Sequence, residues 1–429
     1  MKFTERLLVD IKNRPQEFFI GSCVFFVPVM GTSVKNVAST CFALLLLYSF
    51  YIIKEWKLIW QRLSHNEKWL LKGFALYAFL GLLAYINVQN SHDYFKVLER
   101  YMRFLLAIPI YLLIRKYNVN IIKYLYAGVI VSGPFLLTIA AVSYFNHPDQ
   151  PACGEYHHII FGSVAMLNVG IMLSVLLTQK INNITKAIIV ISMLSGFVAA
   201  VLSQSRGVWL ALPVYVLITL YYSVKYSRIK LSSVLIVSVL IVAILLLSPI
   251  GKMVKTRTDA AIDDISAFYD KGQYISSLGT RLAMWNIAID TWKRHPVIGS
   301  GPGDFEDTII ELQKKGEYTG MDVHNSAHSM YFQSIADTGS VGIVILLFSL
   351  LFMPLKLLFN SIKQHQTMAL SGIVLILLFA TVGLSASWTL RLPTVSVYIV
   401  YMLAIVSGIF TLAGNDSDEM FFNWNRVAG

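Results

Sequence analysis

The sequence predicts an all-α integral membrane protein with about twelve transmembrane helices and one large helical loop. Two observations lead to this fold class. Hydrophobic residues make up 56% of the 429 residues and charged residues only 14%, whereas soluble domains average about 25% charged residues. Apolar runs of roughly 20 residues recur along most of the chain without the alternation of a membrane β-strand. Helices are therefore the elements that satisfy the backbone hydrogen bonds in lipid.

Twelve apolar windows define the predicted spans. They lie near residues 17–32, 37–53, 70–88, 103–116, 121–145, 157–179, 187–204, 207–224, 231–250, 335–358, 367–387 and 395–413. The fourth window is the shortest, but Arg115 and Lys116 close it, and Asn118 and Asn120 provide a turn into the next window. It is retained, because its removal would invert the orientation of every later span.

One long polar insertion interrupts the series of spans. The chain is therefore divided into membrane helices 1–9 in residues 1–250, a loop or cap in 251–327, and membrane helices 10–12 with a short tail in 328–429. Connections of this length are usually either functional or disordered. Apolar side chains recur in the insertion at steps of three and four residues, at Leu282, Trp285, Ile289 and Trp292. This spacing predicts an amphipathic helix, so a small helical cap on one integral domain is expected.

The distribution of basic residues predicts the orientation in the membrane. Lysine and arginine are concentrated at the N-terminus and in alternate short loops, for example at Lys54 and Lys57, and such loops remain in the cytoplasm. Both termini are then cytoplasmic, whereas loop 251–327 and the hairpins at Arg206 and Arg391 face the other side. The net charge of +11 follows mainly from the cytoplasmic loops, which favours contact with anionic membrane lipids over binding of nucleic acid.

Histidines on that outer face are candidates for acid–base chemistry. His328 stands where the insertion re-enters the membrane, and a neutral imidazole can take a proton from a hydroxyl nucleophile. A residue at the start of a helix on the membrane interface is the structural alternative. His324 is a candidate helper, while Asn325 and Ser329 fit either this site or a helix cap.

Arginines form the second candidate group on the same face. A guanidinium group keeps its charge and offers a planar fork of donors, which suits phosphate oxygens. An arginine near the end of a span can equally anchor its helix at the interface. The candidates are Arg206, Arg281, Arg391, Arg100 and Arg103. If they converge around a histidine, they would suit a lipid-linked phosphate or diphosphate.

Other motifs give no reason to expect a metal or a nucleotide cofactor. The glycine-rich segment 299–303 follows a helical pattern and lacks the lysine of a phosphate-binding loop, so it predicts a turn. His157 and His158 are an isolated adjacent pair without the spacing of a zinc site. The carboxylates of Asp263 and Asp264 point apart on a helix and indicate a solvated face. No cofactor and no metal are therefore expected.

Four segments, taken in order, resemble the O-antigen ligase/polymerase superfamily. They are Leu202–Pro213 (LSQSRGVWLALP), Ser277–Trp285 (SLGTRLAMW), Arg294–Gly301 (RHPVIGSG), and His328-Ser329 followed after nine residues by Gly339. The resemblance covers residues 185–345 or so, and it extends to the rest of the chain only through the number of spans. Within the superfamily, the chain is most similar to the O-antigen ligases.

The resemblance implies a fold, a reaction and partners. O-antigen ligases are helical bundles of the predicted size with a large periplasmic loop, akin to the GT-C glycosyltransferases. By resemblance, the chain would transfer O-polysaccharide from undecaprenyl diphosphate to a sugar hydroxyl of lipid A-core, with inversion and without a metal. It would act in lipopolysaccharide biosynthesis, at the periplasmic face of the inner membrane of a Gram-negative bacterium.

The resemblance also implies roles for particular residues. The essential histidine of the family corresponds to His328, since the pattern of a histidine, a small polar residue, nine residues and a glycine fits from His328 but not from His324. The two essential arginines correspond to Arg206 and Arg281, which would hold the departing diphosphate. Arg391 resembles a basic residue before the last span. The early spans diverge widely within the family, so the resemblance implies no role for Arg100 or Arg103.

Two other functions remain open. An O-antigen polymerase of the same superfamily would use a second lipid-linked glycan as its acceptor, and the sequence separates it poorly from a ligase. A polysaccharide flippase or transporter also has many helices, but transporters tend to consist of two related halves. Here nine predicted spans precede the insertion and three follow it, which favours an enzyme. A protein-directed oligosaccharyltransferase ranks last, because the tail after Gly414 is short.

Overall fold

The computed structural model describes residues 14–89, 91–226, 259, 262–270, 272, 274 and 276–411. Within these ranges the chain forms helices and connecting loops, and no β-strand is present. The prediction of an all-α membrane protein is therefore confirmed. The predicted span 231–250 and both chain ends lie outside the described residues, as does much of the insertion before Ser276.

The helices follow the apolar windows of the sequence. In chain order they are α1 Pro15–Met30, α2 Val37–Phe50, α3 Trp56–Arg62, α4 His65–Leu83, α5 Ser91–Tyr117, α6 Ile121–Asn146, α7 His158–Thr178, α8 Asn183–Leu202, α9 Arg206–Trp209, α10 Ala211–Tyr226, α11 Ser277–Arg294, α12 Phe305–Lys314, α13 Met330–Leu346, α14 Met353–Ser361, α15 Gln366–Val382 and α16 Leu392–Thr411. A π-helical segment, Leu347–Phe352, connects α13 to α14. Every predicted window other than 231–250 overlaps one of these helices.

Seven helical segments of the described chain are long and apolar enough to cross a membrane. An eighth is obtained if α2 and the helical residues beyond its 68° bend count as one span. α1 and α15 are apolar but shorter. α5 extends beyond the predicted window 103–116, because its first turns are charged and continue the helix out of the apolar segment. The number of twelve spans therefore remains a prediction for the whole chain.

The last span and α7 occupy the centre of the bundle. Their apolar windows are 94% and 83% buried, against 28% for the span that contains α10, so the outer helices leave apolar side chains for contact with lipid. Asn168 on α7 joins the central helices: its amide donates to Ser132 Oγ at 2.7 Å and accepts from the Tyr401 hydroxyl at 2.6 Å. Such interhelical hydrogen bonds satisfy polar groups that cannot reach water.

A break in α13 fastens the cap to the bundle. Gly339 has φ +65° and ψ −161°, a backbone conformation that is essentially confined to glycine. Loop 296–301 fits into this break and exchanges four backbone hydrogen bonds of 2.8 to 3.1 Å with residues 336–341. The glycine that the sequence motif places at position 339 is thus a structural requirement of the join between cap and bundle.

At the other end of the bundle, a buried carboxylate joins α4 to α5. Glu67 is 1% exposed, forms an ion pair with Arg115 Nε at 2.8 Å and accepts from the Tyr111 hydroxyl at 2.7 Å. Its second oxygen accepts from the Ser64 N–H at 2.8 Å, in a capping box that begins α4. Because both charges are largely removed from water, loss of either partner would leave an uncompensated charge.

Candidate functional site

A cavity of about 430 Å³ opens at one end of the bundle. Its walls come from the start of α5 and from the loops before α7, before α13 and between α15 and α16. Its lining includes the charged side chains of Arg100, Glu155 and Arg391 and the imidazoles of His157 and His328. The volume lies within the usual range of ligand pockets. Because its lining holds two arginines and one carboxylate, the cavity suits an anionic ligand.

The loops around this cavity contact one another directly. The Met330 N–H donates to the Gly383 carbonyl at 2.8 Å, which joins the loop before α13 to the loop after α15. The His158 ring donates from Nδ1 to the Ser203 carbonyl at 2.9 Å, which joins the start of α7 to the end of α8. These are loops that the predicted topology assigns to the same side of the membrane.

His328 lines the cavity from the loop before α13. Its backbone has φ +49°, in the left-handed region that non-glycine residues seldom adopt, and such strain is concentrated at functional sites. Burial, followed by the charge of Arg281 and by His324, Arg391 and His157, lowers the pKa of His328 to about 4. The imidazole is therefore neutral at neutral pH, which is the form that can accept a proton.

Arg281 lies near the start of α11, the helix that the spacing of apolar residues predicts in the insertion. The Ser276 side chain caps this helix by accepting from the Gly279 N–H at 3.1 Å. After burial, the positive charge of Arg281 also lowers the pKa of both His328 and His157, so the guanidinium group lies within electrostatic range of these two imidazoles. The structure thus brings together the arginine of the cap and the histidine at the entry to α13.

The buried face of α11 differs from the predicted one by about one position. The fully buried side chains are Ala283, Met284, Ile287 and Ala288. The predicted stripe of Leu282, Trp285, Ile289 and Trp292 is only partly buried. The helix is confirmed, but its predicted buried face is wrong. The tryptophans lie at the edge because each indole N–H needs an acceptor, which is the Ala327 carbonyl at 3.1 Å and the Ser340 hydroxyl at 2.9 Å.

Two arginines line the cavity, whose walls do not include Arg281. Arg391 follows the 3₁₀ turn Trp388–Leu390 and is exposed. Arg100 on α5 is half-buried, and its Nε is buried without a hydrogen-bond partner. A guanidinium N–H that lacks an acceptor within the protein can donate to an anionic ligand. Both guanidinium groups therefore give the cavity wall positive charge.

Arg103, another predicted candidate, does not line the cavity. It is 7% exposed, forms an ion pair with Glu99 at 3.0 Å and donates to the hydroxyl groups of Ser39 and Ser396. Its guanidinium group also lies 5.3 Å from the centre of the Phe42 ring. These contacts join α5 to α2 and α16, so Arg103 has a structural role in the bundle.

The remaining predicted residues differ in how the structure places them. His324 lies beside His328, with ring centroids 5.5 Å apart and ring planes nearly perpendicular. Asn325 is exposed and is not part of the cavity lining. The backbone of Arg206 begins α9, but its side chain lies outside the described part of the structure. The role of Arg206 in the site therefore stays a prediction.

His157 is a cavity residue that sequence reasoning did not select. It precedes α7, and its ring accepts from the Ile159 N–H at 3.3 Å. Burial, followed by His158, Arg391 and Arg281, lowers the pKa of His157 to about 4. From the sequence, His157 is considered only as a zinc ligand and is set aside because the spacing of a zinc site is missing. Its position at the outer end of a predicted span is the signal that could have found it.

Comparison with known proteins finds one family model and one relative that resemble this chain. Residues 188–347 match the family model described as O-antigen ligase. This segment contains Arg206, Arg281, His328 and Gly339. An uncharacterized protein of Haemophilus influenzae is 26% identical over 314 residues, which make up 71% of this chain and 75% of that protein. Residues 188–347 of the chain are therefore similar to the O-antigen ligase family.

Proposed function

We propose that the chain is a membrane glycosyltransferase, an O-antigen ligase that transfers O-polysaccharide from undecaprenyl diphosphate to a sugar hydroxyl of lipid A-core. The observation that carries the proposal is the meeting of His328 with several cationic side chains around one cavity. A departing diphosphate needs positive charge, and an acceptor hydroxyl needs a base. The family match over residues 188–347 supports the same reaction class.

In the proposed reaction, the neutral imidazole of His328 accepts the proton of the acceptor hydroxyl. The hydroxyl oxygen forms a bond to the anomeric carbon of the first O-antigen sugar, while the bond from that carbon to the diphosphate oxygen breaks. The bonding electrons leave with the diphosphate, whose added negative charge the guanidinium groups stabilise. A single displacement of this kind inverts the anomeric centre, and cleavage of the phosphoglycosyl bond supplies the free energy.

The arginines around His328 form the proposed diphosphate site. Arg281 contributes from the cap helix α11, while Arg391 and Arg100 contribute from the bundle. Arg206 joins this set by its place in the family motif. Planar guanidinium groups can donate two parallel hydrogen bonds to phosphate oxygens. Groups from both cap and bundle would therefore fix the diphosphate next to the base.

Binding of the donor is expected to strengthen the base. The pKa of His328, about 4, is held down partly by its positive neighbours. A bound diphosphate would offset that positive charge and raise the pKa, which brings the imidazole closer to the optimum for a base at neutral pH. Proton transfer would then be favoured when a donor is in place.

The proposed orientation places the cavity at the periplasmic face of the inner membrane. Both termini and the basic loops would be cytoplasmic, and the spans in residues 1–250 and 328–429 would form a GT-C-like bundle of about twelve helices. Residues 251–327 would form the periplasmic cap. Contacts among the loops around the cavity support this arrangement. The cap would exclude water from the reacting sugar and so limit hydrolysis.

A reconstituted transfer assay tests the base. Purified protein is mixed with lipid-linked glycan and lipid A-core, without nucleotide or ion gradient, and joined product is measured. His328→Ala should lower the rate at least about a hundredfold. The control is His147→Ala, since His147 is exposed and does not line the cavity; this variant should keep the wild-type rate. If His328→Ala transfers glycan as fast as the control, the assignment of the base is wrong.

The acceptor and the type of product separate the alternative functions. A polymerase of the same superfamily would make product when a second lipid-linked glycan replaces lipid A-core. A ligase would make product only with lipid A-core. A flippase would move lipid-linked glycan across vesicles without forming any new glycosidic bond. The same purified protein therefore serves for all three measurements.

A further inference from the structure

Two side chains hold the backbone of Ala327, the residue directly before His328. Its N–H donates to Gln333 Oε1 at 2.7 Å, and its carbonyl accepts from the Trp285 indole at 3.1 Å. Ala327 is fully buried, so bulk water does not compete for these bonds. The segment that carries the candidate base therefore depends on two side chains from different helices.

Both of these side chains are themselves fixed. Gln333 is 3% exposed, and its amide nitrogen donates to Asp337 Oδ1 at 2.8 Å, one turn further along α13. A backbone N–H can only donate, so Ala327 requires the amide oxygen on its side and leaves the nitrogen for Asp337. Trp285 stacks on Phe332, with ring centroids 4.9 Å apart and ring planes 15° apart.

Trp285 also connects the candidate base to the arginine of the cap. Arg281 and Trp285 are four residues apart on α11, so they lie on neighbouring turns of one helix face. The Trp285 indole holds the peptide before His328, while the charge of Arg281 acts on the imidazole itself. The left-handed backbone of His328, with φ +49°, persists only where the surrounding structure holds it.

We infer that Gln333 and Trp285 are positioning residues that hold His328 toward Arg281 and the cavity. Neither residue lines the cavity, so they act through the backbone of Ala327 and not by contact with a substrate. Their effect on the rate of transfer rests on the proposed function. Their effect on the geometry of His328 does not.

Single substitutions remove these hydrogen bonds one at a time. Trp285→Phe keeps an aromatic ring for stacking but loses the indole donor, and Gln333→Leu removes the amide. Trp292→Phe is the matched control, because it removes a comparable indole bond of the same helix, to Ser340 at 2.9 Å. Gln333→Glu is the conservative variant: a glutamate oxygen still accepts from the Ala327 N–H, although the donor to Asp337 is lost, so this variant should retain part of the activity.

The first measurement requires no substrate. An NMR titration of protein labelled in its histidine rings yields the pKa of His328, assigned by comparison with His328→Gln. The groups that face this imidazole are Arg281, His324, Arg391 and His157. Trp285→Phe and Gln333→Leu should raise the pKa from about 4 toward the ordinary value of 6.5, because a ring that is no longer held becomes less buried and moves away from these charges. Trp292→Phe should leave it unchanged.

The second measurement is the rate of glycan transfer. Trp285→Phe and Gln333→Leu should each lower kcat about tenfold or more with little change in KM for the donor, as expected when a base is misplaced and the binding groups remain. The double variant should lose less than the product of the two effects, because both bonds hold the backbone of the same residue, Ala327. A merely structural role would lower the amount of folded protein without this pattern.

The outcomes separate this inference from the proposed function. If Trp285→Phe and Gln333→Leu match Trp292→Phe in both the pKa of His328 and kcat, the inference is overturned. It is also overturned if they only reduce the yield of folded protein. If the pKa of His328 moves as expected but His328→Ala still transfers glycan, the positioning role stands and the assignment of the base fails.

Discussion

Gly339→Ala is expected to loosen the cap from the bundle. Gly339 has φ +65°, and an added Cβ would lie 2.4 Å from the carbonyl oxygen of Val297 and 2.7 Å from the amide nitrogen of Gly299. Both are backbone atoms, so no side-chain rotation can relieve the contact. Either the break in α13 must open, or loop 296–301 must withdraw from it.

The expected magnitude follows from the contacts at the break. Placing a residue with a Cβ in this backbone region costs on the order of 1–3 kcal/mol. Withdrawal of loop 296–301 would give up four backbone hydrogen bonds, each with a net contribution of about 1 kcal/mol. The free energy of unfolding should therefore fall by about 4 kcal/mol, a large part of the stability of a typical domain.

Unfolding in mixed micelles measures this change, with titration by sodium dodecyl sulfate and detection by tryptophan fluorescence. Gly316→Ala is the matched control, because Gly316 also has a positive φ, +87°, but an added Cβ there meets nothing within 4 Å. Only backbone strain then remains, about 1–2 kcal/mol. Equal destabilisation of the two variants would refute the reasoning, since the join would then not depend on close approach at Gly339.

Two further predictions concern charge. Since protonation of His328 removes the base as the pH falls, kcat/KM should decline near its pKa of about 4 and not near 6.5. Arg281→Gln should move this decline to higher pH, because loss of a positive charge raises the pKa of His328, whereas Arg281→Lys should slow transfer without moving the decline. The rate of transfer measured against pH tests both variants. If the decline does not move in Arg281→Gln, it belongs to a group other than His328. Glu67→Gln should lower the free energy of unfolding by about 3 kcal/mol, because Arg115 loses its buried partner. The control is Asp290→Asn, because the ion pair of Asp290 with Lys293 is exposed and its loss should leave the free energy of unfolding unchanged. Equal midpoints of Glu67→Gln and Asp290→Asn in the detergent titration would contradict the prediction.

The helices and the resemblance to the O-antigen ligase family could be predicted from the sequence. Long apolar windows predict helices because lipid offers no partners for the backbone, and each described window proved to be helical. The positions of His328 and Gly339 in one motif were also visible. The reason for their spacing was not visible in the sequence, because it depends on the contact of Gly339 with loop 296–301, which joins the bundle to the cap.

Only part of the candidate site could be predicted from the sequence. Arg281 and His328 could be paired by the motifs that carry them. His157, Trp285 and Gln333 could not, because their roles arise from contacts between separate helices and loops. The buried face of α11 was misplaced for a related reason: a tryptophan counts as core by its hydrophobicity, whereas its indole N–H directs it to the edge of the helix face.

Arg100 and Arg103 show what the sequence determines and what only the tertiary structure decides. The sequence by itself determined that both arginines lie on one membrane helix, on the side predicted to be periplasmic. At three residues apart they are close to equivalent in any periodic pattern. Only the packing of α2 and α16 against α5 decided that Arg103 is bound inside the bundle while Arg100 lines the cavity. The direction in which a charged side chain finds its partners is a property of neighbouring helices, and no single segment encodes it.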